Sequence, residues 1–316
     1  MIKIIYLFLL LLLLPYAQDI KPITTIKTSG MVSDFVEDKG FLYVATDEGT
    51  VDIIDLSKQV IVRKIKLPTL LTARGETIPA RVHGVDRSHG RTLIVSSGMS
   101  AYRNIWVDDG KKLKKIIDEK KRMMPKKVLF TSDNKIIFGS FGSDIVLYDN
   151  NEGSKLYDRH ISDSTMGDMV LSPDKKNMII SDESGNVRLI EVNSSKVQKT
   201  FSSEHVDNIY KVAYANNTIV TAGQDRRVGV YHVNGGAYHL KSDFLVYAVG
   251  LSPSGKTGVY SSGLEHHLQL FDTKTKQKGD TLVGHYAIPN KILFINETSL
   301  ISSGDEDKIF FWKLNK

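Results

Sequence analysis

The stretch KIFFWKLNK (308–316) sets Ile309, Phe310, Phe311 and Trp312 in succession and reads as a β-strand. An aromatic strand left as an open sheet edge presents unpaired backbone groups and invites aggregation. It therefore needs a partner. The candidate is PITTIKT (22–28), a β-branched, alternating segment that stands alone before the first repeat of the chain.

That repeat appears when segments resembling the closing one are aligned. They are TVDIIDL (50–56), NIWVDDG (104–110), DIVLYDN (144–150), NVRLIEV (187–193), RVGVYHV (227–233), HLQLFDT (267–273) and KIFFWKL (308–314). From Asp55 through Asp108, Asp149, Glu191, His232 and Asp272 to Lys313 the gaps are 53, 41, 42, 41, 40 and 41. A period of 40–45 residues with β-type alternation marks a propeller, four strands to a blade. Within each unit a strand leads into a turn such as SPDKKN (172–177) or SPSGKT (252–257), where Pro presets the turn. A second strand follows and ends in small residues, as in TIVTAG (218–223), TGVYSSG (257–263) and LISSG (300–304). Small residues there are expected to let the blade taper toward its channel. The seventh unit lacks a fourth strand, and PITTIKT supplies it. The expected fold is all-β: a seven-bladed β-propeller whose ring is closed by the N-terminal strand pairing in the last blade.

Composition agrees with one large domain. Of 316 residues 41% are apolar, enough for a core, and the formal charge of +6 is too small to indicate nucleic acid. The first residues, MIKIIYLFLLLLLLPYAQD, place Lys3 before an apolar run from Ile4 to Leu14, with Pro15 and Ala17 after it. A run this short suits a signal peptide, since a bilayer span needs about 20 residues. The expected organisation is a signal peptide over 1–17 and a single propeller domain over 18–316, without a transmembrane helix in the mature chain. The absence of cysteine excludes disulfides, thiolate nucleophiles and Cys-based metal sites. Export without disulfides points to the periplasm.

Two units carry more than a generic blade. In the fifth, His205, Ile209, Val212, Tyr214, Thr221, Asp225 and Tyr231 fall at spacings that resemble the WD40 repeat, with Tyr231 in the place of its Trp. In the seventh, Gly284-His285, Ile292, Phe294, Ser302 or Ser303, Asp307 and Trp312 repeat the pattern. The resemblance implies a hydrogen-bonded chain inside each blade, formed by His205, Thr221, Asp225 and Tyr231 in one and by His285, Asp307 and Trp312 in the other. An exported, cysteine-free chain of this character further resembles the NapL-type accessory proteins of the periplasmic nitrate reductase system. What that implies is a non-catalytic protein supporting reductase maturation or electron transfer through contact with its subunits; the chain is separately expected to be a monomer with no cofactor.

Catalytic signatures are absent: there is no GxSxG elbow, no phosphate loop and no EF-hand spacing. His83, His160, His266 and His267 fall in links and turns of one rim. They leave open a metal-binding protein or metallochaperone, and a propeller enzyme is a further alternative. Two segments stand out as a partner-binding rim. KKLKKIIDEKKRMMPKK (111–127) holds nine basic residues in seventeen. Within it Lys120, Lys121, Arg122, Met123 and Met124 form a candidate docking patch for an acidic protein or anionic headgroups. LPTLLTARGETIPARVHG (67–84) accounts for the long first gap and offers Arg74, Glu76, Arg81 and His83.

Overall fold

A computed structural model describes residues 17–99 and 101–315. The expected signal peptide, apart from Ala17, lies outside the described residues. The described residues form seven blades of four antiparallel strands, six of them from consecutive strands and the last from three C-terminal strands and one N-terminal strand. The blade numbered five is representative: Ile209–Ala215, Thr218–Gly223, Arg227–His232 and Ala237–Lys241 follow one another across the sheet. Blade seven takes Pro289–Asn296, Ser299–Gly304 and Lys308–Lys313, then Thr24–Lys27 as its outer strand. In that pairing Thr24 lies opposite Phe311 and Lys27 opposite Lys308. The aromatic strand thus has a neighbour on each side. One pairing was not expected: Asp19–Ile20 adds a short parallel strand outside Lys278–Leu282 of blade six.

The core is partitioned as a ring demands. Seven apolar clusters occupy the seven spaces between neighbouring blades. The one joining blade seven to blade one packs Ile26, Ile301, Ile309 and Phe311 against Val32, Phe35, Leu42 and Val44. Middle strands are covered on both faces, so Thr50–Asp55 and Thr218–Gly223 are buried throughout and do not alternate. The inner strands of successive blades touch one another around the axis. They are Val32–Asp38, Val82–Ser88, Pro125–Phe130, Met166–Leu171, Ile209–Ala215, Val249–Leu251 and Pro289–Asn296.

The small residues that end the second strands serve a different purpose from the expected taper. A β-carbon on Gly223 would lie 2.4 Å from both the Asp225 carboxylate and His205 Nδ1, and one on Gly304 would lie 2.8 Å from Glu306 Oε1. They make room for loop side chains folded back into the blade, whereas the channel is lined by first strands.

Candidate binding face and channel

Because neighbouring strands run antiparallel, the links between blades and the turns between second and third strands share one face, the link face. The other turns form the opposite face. The link face is held by side chains that re-enter the blades. In blade five His205 Nε2 lies 2.7 Å from Thr221 Oγ1, and Nδ1 lies 3.0 Å from Asp225 Oδ1. Asp225 also accepts from the N–H groups of Val206 and Arg227. Burial works to raise its pKa, yet these hydrogen bonds hold it below the ordinary aspartate value. Tyr231 packs against Phe201, but its buried hydroxyl has no hydrogen-bond partner, so it does not take up the role that the WD40 resemblance implied.

Blade seven brings together a different acid from the one expected. His285 Nδ1 lies 2.6 Å from Glu306 Oε1, Nε2 lies 2.7 Å from Ser302 Oγ, and Trp312 Nε1 donates to the same hydroxyl at 2.7 Å. Asp307 is instead on the surface, bridged to Lys27 at 3.3 Å and to the Tyr286 hydroxyl. The signal was present in the sequence. Asp225 precedes Tyr231 by six residues, and counting six back from Trp312 reaches Glu306. Blade two holds a Trp–Ser contact that the sequence reading missed: Trp106 Nε1 donates to Ser96 Oγ at 3.0 Å.

The basic run 111–127 is not a patch. Lys111 and Lys112 sit in a turn of the opposite face, where Asp109 accepts from their backbone N–H groups. Lys114 and Lys115 belong to the outer strand Leu113–Ile117. A 3-10 turn, Glu119–Lys121, follows and is pinned by Glu119, whose carboxylate accepts from Met99 N and Asn104 Nδ2. Lys120 and Arg122 are exposed there, Lys121 bends over the Tyr148 ring, Met123 packs on the core and Met124 is exposed. Lys126 and Lys127 line the channel. The long first link folds as a small hairpin, Leu70–Leu71 with Thr77–Ile78, carrying exposed Arg74 and Glu76 near its tip. Arg81 is exposed, while His83 turns inward to Ser97 at 2.8 Å and lines the channel. Burial, with Arg103 and Arg81 nearby, pushes His83 down to about 3.

The rim histidines do not assemble. His160 is held between Asp144 and Asp163, His83 faces Ser97, and His266 occupies a left-handed turn. Among the described residues no group of three metal-ligating side chains converges.

Exposed apolar side chains are distributed unevenly. Met31, Met124, Val206, Leu264 and Tyr286 all stand in links or turns of the link face, with Leu71 and Ile78 in its hairpin. The turns of the opposite face hold none of the large exposed apolar side chains among the described residues. Between blades five and six the Tyr210 and Tyr247 rings stack at 5.4 Å, and Phe244 lies against Tyr247.

The charged lining of the channel beneath this face was not anticipated. In six blades the inner strand has a bulge near its start. The third residues of those strands are Asp34, Gly84, Lys127, Asp168, Lys211 and Lys291. Lys127 reaches Asp34 at 2.8 Å, and Lys291 binds the same carboxylate. Burial opposes ionisation of Asp34, but its two lysines hold it far below the aspartate range. One carboxylate does not neutralise two ammoniums. Lys127 is held above its ordinary value despite burial, chiefly by Asp34. Lys291 is pushed down to about 8 chiefly by burial, which outweighs the help of Asp34, with repulsion from Lys127 and Lys211 adding to the fall.

Architecture and blade chemistry together define a seven-bladed, WD40-like β-propeller. No known family profile matches the chain. It is 25% identical over 170 residues to autophagy-related protein 16 of Arabidopsis thaliana, covering 52% of this chain and 33% of that protein. It is 22% identical over 160 residues to actin-interacting protein 1 of Caenorhabditis elegans, covering 46% and 26%. Each match thus spans about a third or less of the curated relative's length. Among solved structures the β-propeller domain of Cps50 (Swd1) from Myceliophteria thermophila superposes with a TM-score of 0.72 at 13% identity. That superposition covers 93% of this chain and 99% of that one. None of these similarities points to NapL-type proteins.

Proposed function

We propose that this protein is a non-catalytic interaction scaffold that seats a protein partner on its link face. The observation that carries this reading is the contrast between the two faces: among the described residues the large exposed apolar side chains in turns and links all lie on the link face, where Val206 and Leu264 are each 72% exposed and Tyr286 58%. Side chains of this kind on rigid loops supply the anchors that dominate interface energetics. The WD40-like fold supports the same role. The partner we assign is a subunit of periplasmic nitrate reductase, on the strength of the apolar leader, the absence of cysteine and the NapL-type resemblance. On this reading the chain acts in the periplasm as a monomer, without cofactor, in reductase maturation or electron transfer.

The test is co-purification from the native host after periplasmic crosslinking, with the wild type beside a Val206→Asp/Leu264→Asp/Tyr286→Asp variant. Reductase subunits are expected with the wild type and at least tenfold depleted with the variant, while both chains show the same thermal unfolding. Equal recovery from both would remove the link face from the interface. Recovery of other periplasmic proteins without reductase would remove the nitrate assignment and keep the scaffold.

A further inference from the structure

We infer that the central channel binds a small oxyanion of phosphate size, held by Lys126, Lys211 and Arg103 beneath the link face. This site is independent of the partner reading above. Two cavities meet there, of ≈ 220 and ≈ 180 Å³, and share Lys127, Asp168 and Lys211 in their walls. A tetrahedral oxyanion fits within either.

The charge balance asks for an anion. Lys126, Lys127, Lys211 and Arg103 face the smaller cavity, Lys291 the larger, and the carboxylates lining them are Asp34 and Asp168. Asp34 is already shared by Lys127 and Lys291 and also accepts from Phe35 N. Asp168 accepts from Val212 N. The nearby Asp86 is turned into the blades, where it takes the Phe130 N–H at 2.6 Å. Five cations thus face two carboxylates. Lys211 has no ion-pair or hydrogen-bond partner among the described residues. Arg103 is fixed by its bond to the Pro125 carbonyl and by the Phe141 ring beneath it. Burial holds both Lys126 and Arg103 below their ordinary values, an effect that Asp168 and Glu183 only partly offset for Lys126 and that Arg81 deepens for Arg103.

A neutral donor completes the set. Ser33 lines the smaller cavity, and its buried hydroxyl has no partner in the protein. Buried polar groups are rarely left so. An oxyanion would accept from Ser33 and from the surrounding ammonium and guanidinium groups at once, where a chloride would satisfy fewer of these donors.

The experiment is calorimetric titration of the intact chain with inorganic phosphate at constant ionic strength, beside thermal unfolding in phosphate and in chloride. Wild type is expected to bind one phosphate and to melt higher in its presence. Lys211→Met should weaken binding at least tenfold, yet melt higher than wild type in phosphate-free buffer because a repelling charge is gone. Lys155→Met, on the outer strand of blade three, should bind like wild type. Sulfate and succinate, titrated alongside, rank the anion classes, and binding of either in the same Lys211-dependent way also supports the site. Absence of saturable binding by all three in the wild type would overturn the proposal. So would binding that Lys211→Met and Lys155→Met weaken equally, which would indicate surface charge alone.

Discussion

Lys127 passes the second blade to place its ammonium 2.8 Å from the Asp34 carboxylate of the first. Gly84 holds the corresponding place in the intervening blade, and even a β-carbon there would lie 3.4 Å from Asp34 Oδ2. The missing side chain is what opens the path. Blades one, three and seven are tied by this carboxylate, because Lys291 binds it as well. Removing one partner of such a buried group leaves the others uncompensated. Asp34→Asn is therefore expected to lower unfolding free energy by about 3–5 kcal/mol. Adding Lys291→Met to it should recover part of that loss. Urea unfolding of the single and double variants measures both, and a loss under about 1 kcal/mol for the single variant would refute the tie.

The same triad sets a pH dependence. Lys291 is pushed from 10.5 to about 8, so between these values the unfolded chain binds the extra proton. Stability contributed by Lys291 must then rise with pH across that window. Lys127 has the opposite sense: its contribution is complete below 10.5 and is lost only as pH climbs above it. Half-buried tyrosines such as Tyr238, whose pKa burial raises, also weaken the fold as pH passes their ordinary value of 10. Unfolding of wild type and Lys291→Met between pH 7.5 and about 9.5 separates these effects. The wild type should gain on the variant as pH rises, and parallel curves would contradict the assignment.

The exchange of Glu306 for Asp307 in blade seven has a measurable consequence. Glu306→Ala removes the acid from His285 inside the blade and should cost about 2–3 kcal/mol. Asp307→Asn breaks only an exposed bridge to Lys27 and should stay within about 1 kcal/mol of wild type. Thermal unfolding of the two variants compares them directly, and the reverse order would restore Asp307 to the chain.

Closure of the ring rests on Thr24–Lys27. Ile26 is buried at the junction of blades seven and one. Ile26→Asp places a charge in that apolar cluster and should cost at least about 3 kcal/mol. It should also expose the backbone of Lys308–Lys313 to hydrogen exchange ahead of blades three and four. Uniform exchange across all seven blades would argue that the junction carries no special weight.

Some of this was legible in the sequence and some was not, for physical reasons. The blade count was readable because each strand repeats at nearly constant spacing, and the closing strand because PITTIKT had no other partner. His205, Thr221 and Asp225 were readable because their contacts stay within twenty residues of chain. The charged cluster in the channel was hidden because Asp34, Lys127 and Lys291 meet only after the ring closes, the first and last standing 257 positions apart. Each lysine alone reads as a solvated charge. The run 111–127 misled for the converse reason, since adjacency in sequence became separation between both faces, an outer strand and the channel. Glu306 was missed by one residue because a longer acid serves where the pattern suggested Asp.

The most direct test of the scaffold role is site-specific photocrosslinking in the native host. The crosslinker is placed at Leu264 or Tyr286 on the link face, and at Val197 on an outer strand or Lys274 in a turn of the opposite face. The expected result is a discrete adduct with nitrate reductase subunits from Leu264 and Tyr286 alone. Adducts from Val197 or Lys274 with none from the link face would contradict it.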